Sequence, residues 1–102
     1  MATRWCGNVK INCTLVNKPY SAGGGEQYKC TLSKGVKKLG TEYVGLPMHL
    51  SHAVDSPIAI DNAVHAAISF ALDLDKISES DIDYDGDGTG TYRVLRKKPS
   101  WI

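Results

Sequence analysis

Seven of the chain's eleven acids fall between Asp73 and Asp87, with Lys76 as the only base among them. Carboxylates at alternate residues, folded around a glycine turn, are the donors a hard cation selects. Asp81-x-Asp83-x-Asp85-Gly86 reads as the first half of a calcium loop, and Asp83-x-Asp85-x-Asp87-Gly88 reads so again two residues later. The twelfth position of such a loop supplies a bidentate glutamate. Here it is Tyr92 in one register and Val94 in the other. Asp81, Asp83, Asp85 and Asp87 are therefore candidate ligands for a weakly held divalent cation such as calcium. They compete with a plainer reading, a solvated loop whose Asp-Gly pairs make turns. No other cofactor is expected.

The second chemical feature is basic. Arg93, Arg96, Lys97 and Lys98 follow the acidic segment, with Tyr92 and Trp101 beside them. Cations interleaved with aromatics suit a single-stranded nucleic acid or an acidic partner. Arg93, Arg96, Lys97, Lys98 and Trp101 are the candidate partner-binding residues, and Lys34, Lys37 and Lys38 could extend them. The same residues would also serve as the charged guard of an edge strand. Acids immediately upstream would repel phosphates, so nucleic acid is the disfavoured partner. An acidic loop and a basic strand on one chain could instead complement each other across a dimer or a protein partner.

Other constellations are thinner. His49 and His52 form H-x-x-H with Asp55 three residues on, but Pro47 and Pro57 bracket the segment and no helix is expected there. A metal would need a third ligand from afar, such as His65 or Cys6. No G-x-S-x-G, phosphate loop or local Cys–His frame is present. Gly23-Gly24-Gly25 follows no strand-to-helix pattern and reads as a turn. Three cysteines, Cys6, Cys13 and Cys30, make an odd number without a CxxC, which argues for free thiols.

Positioning these residues falls to a few elements. Trp5, Val9, Ile11, Cys13 and Leu15 alternate with Arg4, Asn8, Lys10, Asn12 and Thr14, the period of a strand with one buried face. Tyr28, Cys30 and Leu32 alternate with Gln27, Lys29, Thr31 and Ser33, and turn formers from Lys18 to Gly25 lie between the two runs. Burying both apolar faces together pairs Leu15 with Tyr28, Cys13 with Cys30 and Ile11 with Leu32. A slip of two residues would keep the faces and separate the thiols. Gly35 and Gly40 break the next segment, and 41–46 is the third strand, ended by Pro47. Ser56 can cap a helix with Pro57 at its first position, running to Leu74. Ile60, Val64, Ala67, Ile68, Phe70, Ala71 and Leu74 form its buried arc, and His65 lies on the polar side. Residues 91–97 make the last strand.

The expectation is one α+β domain over residues 1–102. An antiparallel sheet of about four strands, in the order β-β-β-α-β, carries one amphipathic helix on one face. The chain's net charge of +1 gives no global pull toward nucleic acid or membranes, although the −6 acidic segment leaves +7 on the remainder. No stretch is long and apolar enough to span a bilayer, and the first residues lack an apolar signal core, so a cytoplasmic location is expected. The residues name no reaction. They lead to a small non-enzymatic interaction or ligand-binding protein, its partners being a second copy of itself, another protein or a small ligand. Self-association is expected because one helix covers only part of a four-stranded sheet. The alternatives are a nucleic-acid module using the basic C-terminal strand and a small enzyme with a site assembled at a subunit interface.

Overall fold

The computed structural model describes residues 2–17, 26–45, 56–84 and 92–100. Four strands, β1 (Ala2–Cys6), β2 (Val9–Asn17), β3 (Glu26–Lys34) and β4 (Lys37–Gly45), form an antiparallel sheet in the order β1-β2-β3-β4. One helix, α1 (Pro57–Asp73), packs on one face against β2, β3 and β4. The expected α+β class and strand number hold, but the strands come from different places. The first apolar run is two strands rather than one. Gly7 adopts φ 58° and turns the chain with Asn8, so that Cys6 pairs with Val9. A Cβ on Gly7 would lie 2.5 Å from the Asp81 carbonyl oxygen, so the position needs glycine for space as well as for φ. The turn shifts the parity of burial. Arg4 and Cys6 face inward before it, and Val9, Ile11 and Cys13 after it. Trp5 consequently leaves the apolar set in which simple alternation placed it.

The β2–β3 register is the expected one, without the two-residue slip that would also have kept the faces. Leu15 lies opposite Tyr28, Cys13 opposite Cys30 and Ile11 opposite Leu32. The connecting turn formers, 18–25, lie outside the described residues. Beyond β3, Gly35 and Val36 make a tight hairpin, so β4 starts at Lys37 rather than at Thr41. Gly40 does not break the strand. It sits at φ 142° beside a bulge that shifts the register between Leu32 and Ser33. The strand expected over 91–97 is reduced to two isolated antiparallel bridges, Trp5 to Leu95 and Tyr84 to Tyr92. Leu95 exchanges both backbone hydrogen bonds with Trp5, at 2.9 and 2.7 Å, which covers the β1 edge at one rung.

The helix begins as its sequence predicts. The Ser56 Oγ accepts the Ala59 N–H at 3.2 Å, and Pro57 occupies the first position. Its buried stripe is Ala59, Ile60, Ala63, Val64, Ala67, Ile68 and Ala71. The small residues seat the helix close to the sheet. Phe70 and Leu74, expected within the stripe, are 43% and 61% exposed. A helix lying this close leaves no gap for a phenyl ring. Leu74 is the C-cap, past the last helical residue. The helix ends in a Schellman motif: the Lys76 N–H donates to the Ala71 carbonyl and the Asp75 N–H to the Leu72 carbonyl, with Asp75 at φ 56°.

The chain after the helix adds to the cover on the helix side of the sheet. Ile77 and Ile82 join the buried core, and the Asn8 N–H bonds the Asp81 carbonyl. The Tyr92 hydroxyl bonds the Ser69 hydroxyl at 3.0 Å, and its ring stacks on His65. Among the described residues no buried side-chain nitrogen or oxygen lacks a hydrogen-bond partner, and no helix is long and apolar enough to cross a membrane.

Candidate functional site

Side chains alternate across a pleated sheet, and the two faces of this one differ completely. Toward the helix point Cys6, Val9, Ile11, Cys13, Tyr28, Cys30, Leu32 and Val44, each at most 5% exposed. Toward solvent point Thr3 and Trp5 of β1, then Lys10, Asn12, Thr14 and Val16 of β2. Gln27, Lys29, Thr31 and Ser33 of β3 follow, then Lys38, Thr41 and Tyr43 of β4. None of these is buried. Among the described residues this outer face carries no carboxylate. Its charges are Lys10, Lys29 and Lys38, all exposed and none in an ion pair with a described residue. Its aromatic rings stand beside cations. Trp5 lies opposite Lys10 in the β1–β2 ladder, and Tyr43 opposite Lys29 in the β3–β4 ladder. The Thr3 hydroxyl donates to the Asn12 side-chain oxygen at 2.8 Å, fixing one hydroxyl–amide pair on the surface.

The basic C-terminal residues divide between structure and surface. Arg96 donates to Asp61 at 2.8 Å, and Asp61 also holds the buried Arg4 at 3.0 Å. Arg93 lies 3.9 Å from Asp83. These two arginines help to tie the C-terminal segment down. Lys97 and Lys98 are exposed, and Lys98 reaches the open face. There Trp5, Asn8, Lys10, Gly35 and Lys98 line a depression of about 200 Å³. Trp101 lies outside the described residues.

The described acids Asp73, Asp75, Glu79 and Asp81 sit with the helix layer. Asp81 is committed on both oxygens: one accepts from Lys34 at 2.8 Å, the other from the Ser78 N–H and hydroxyl at 3.1 Å. The Lys34 ammonium, with help from the Ser78 N–H, holds its carboxyl below the usual carboxylate range. Asp83 is engaged by Arg93, and Asp85 and Asp87 lie outside the described residues. Among the described residues no three metal-ligating side chains come together. His49, His52 and Asp55 also fall outside them. A cleft of about 890 Å³ opens beside this segment, between the β3–β4 hairpin and the helix C-terminus. Several of its charged groups are already spent on ion pairs, Lys34 with Asp81 and Lys76 with Glu42 at 2.6 Å.

The three cysteines form no disulfide and are buried. The Cys13 and Cys30 sulfurs approach to 3.2 Å across the ladder. A hydrogen bond between them favours the thiolate on Cys13 and keeps the proton on Cys30, which burial also holds on. Both sulfurs lie inside the core.

The open face was half legible. The polar alternation of β2 and β3 is in the sequence. Lys38 and Trp5 needed the bulge and the Gly7-Asn8 turn to place them, and Gly-Asn between two alternating runs was the available signal for the turn. Searches of family models, of curated proteins and of solved structures find no match to this chain.

Proposed function

We propose that this chain is a non-enzymatic binding protein, that its working surface is the open face of the sheet, and that its ligand is an extended polyanion. One observation carries the reading. A sheet buried on one side presents on the other only neutral and cationic side chains, with lysines on three of its four strands and no described carboxylate. In a chain of net charge +1, that separation puts a positive field on one surface. An enzyme reading has less support, since in the larger cleft Lys34 is paired with Asp81 and Lys76 with Glu42. Self-association through the open face would set lysines against lysines about a two-fold axis, which opposes it.

Retention on immobilised heparin at rising salt tests the proposal. Lys29→Glu, on the open face, should elute at distinctly lower salt than the parent. Lys37→Glu makes the same charge change on the helix side, where Lys37 lines the cleft, and should elute close to the parent. Equal shifts for the two variants, or a parent that is not retained at low salt, would reject the surface.

A further inference from the structure

Resting on that reading, we infer that the polyanion is a single strand of nucleic acid, laid diagonally over the open face with bases stacked on Trp5 and Tyr43 and phosphates held by Lys10, Lys29, Lys38 and Lys98. A polyanion that offers charge alone needs only lysines. This face also carries two aromatic rings, each directly across a ladder from a lysine. Stacking platforms beside cations are what a chain of alternating flat bases and phosphates can use.

The spacing suits an extended strand. From β1 to β4 is three strand separations, about 14 Å, and the register places Tyr43 four residues farther along the sheet than Trp5, about another 14 Å. The diagonal is therefore about 20 Å. Asn12 and Thr31, paired across β2 and β3, lie between the two rings and offer neutral donors to bases or sugars. At the Trp5 end the depression holds about 200 Å³, below the range of about 300–1,000 Å³ typical of pockets for drug-sized ligands. It is sized for a single ring system. Two lysines, an asparagine and the open side of Gly35 surround it, and a Cβ at Gly35 would meet nothing within 4 Å. A duplex keeps its bases stacked inside and would offer these rings nothing.

The repulsion that disfavoured nucleic acid in the sequence has a different geometry in space. Asp73, Asp75, Glu79 and Asp81 line the cleft on the helix side. Lys98, close to them in sequence, is across the sheet edge from them, beside Trp5.

The experiment is titration with a twelve-residue oligothymidylate, read by tryptophan fluorescence and anisotropy, against a duplex of equal length. The expected result is quenching by the single strand and binding at least tenfold tighter than to the duplex. Trp5→Phe should abolish most of the quenching, which separates Trp5 from Trp101. Tyr43→Ala, at a residue 54% exposed and outside the core, should weaken single-strand binding about tenfold. Duplex binding as tight as single-strand binding, or unchanged affinity in Tyr43→Ala, would overturn the inference. With heparin retention intact, that result would leave the polyanion reading standing. Loss of both would end both.

Discussion

At the scale of single residues, the described ion pairs belong to structure. Arg4 is 8% exposed, and its guanidinium is matched by Asp61 and by the Thr3 carbonyl. Removing the carboxylate strands a buried charge. Asp61→Ala should cost about 2–3 kcal/mol in denaturant unfolding, and Arg4→Leu added to it should recover part of that loss. Asp81 makes a pH prediction. Its folded-state pKa lies below the ordinary value near 4, so its contribution is present at neutral pH and is lost as pH falls through the folded value. The stability gap between the parent and Asp81→Asn should therefore close as the pH is lowered from about 5 toward 2. A gap that stays constant with pH would mean that the Lys34–Asp81 pair contributes nothing. The opposed Cys13 and Cys30 remain thiols, and titration under denaturing, non-reducing conditions should count three.

At the scale of elements, two turns carry opposite predictions. Gly7 is at φ 58° and has Ile82 as well as the Asp81 carbonyl where a side chain would go. Gly7→Ala should destabilise by about 2 kcal/mol or more. Asp75 holds the left-handed position of a Schellman motif, usually glycine, with a negative charge at the negative end of a helix. Asp75→Gly should raise stability by about 0.5–1 kcal/mol, a melting temperature higher by a few degrees. The same elements show what the sequence could carry. The β2–β3 register and the Ser56 cap were readable, because a burial period limits the register to steps of two residues and a cap is one local hydrogen bond. The β1–β2 turn hid inside a run whose alternation continues across it when the parity shift is ignored. The last strand was not legible because its residues bridge two different partners, Leu95 to Trp5 and Tyr92 to Tyr84, and follow neither as a ladder. The open face was readable as polar, but its membership depended on that turn and on the bulge before Gly40.

At the scale of the molecule, the helix and the segments after it cover one side of the sheet, and the other side is left with cations and rings. Among the described residues the helix side mixes both signs, with Lys34 and Lys76 paired to acids, while the open face holds Lys10, Lys29 and Lys38 and no carboxylate. Lysine acetylation mapped by mass spectrometry, with and without a heparin oligosaccharide, tests this most directly. Lys10, Lys29 and Lys38 should be protected, while Lys34, Lys37 and Lys76 react at unchanged rates. Protection confined to Lys34, Lys37 and Lys76, or no protection at all, would contradict the open face as the binding surface.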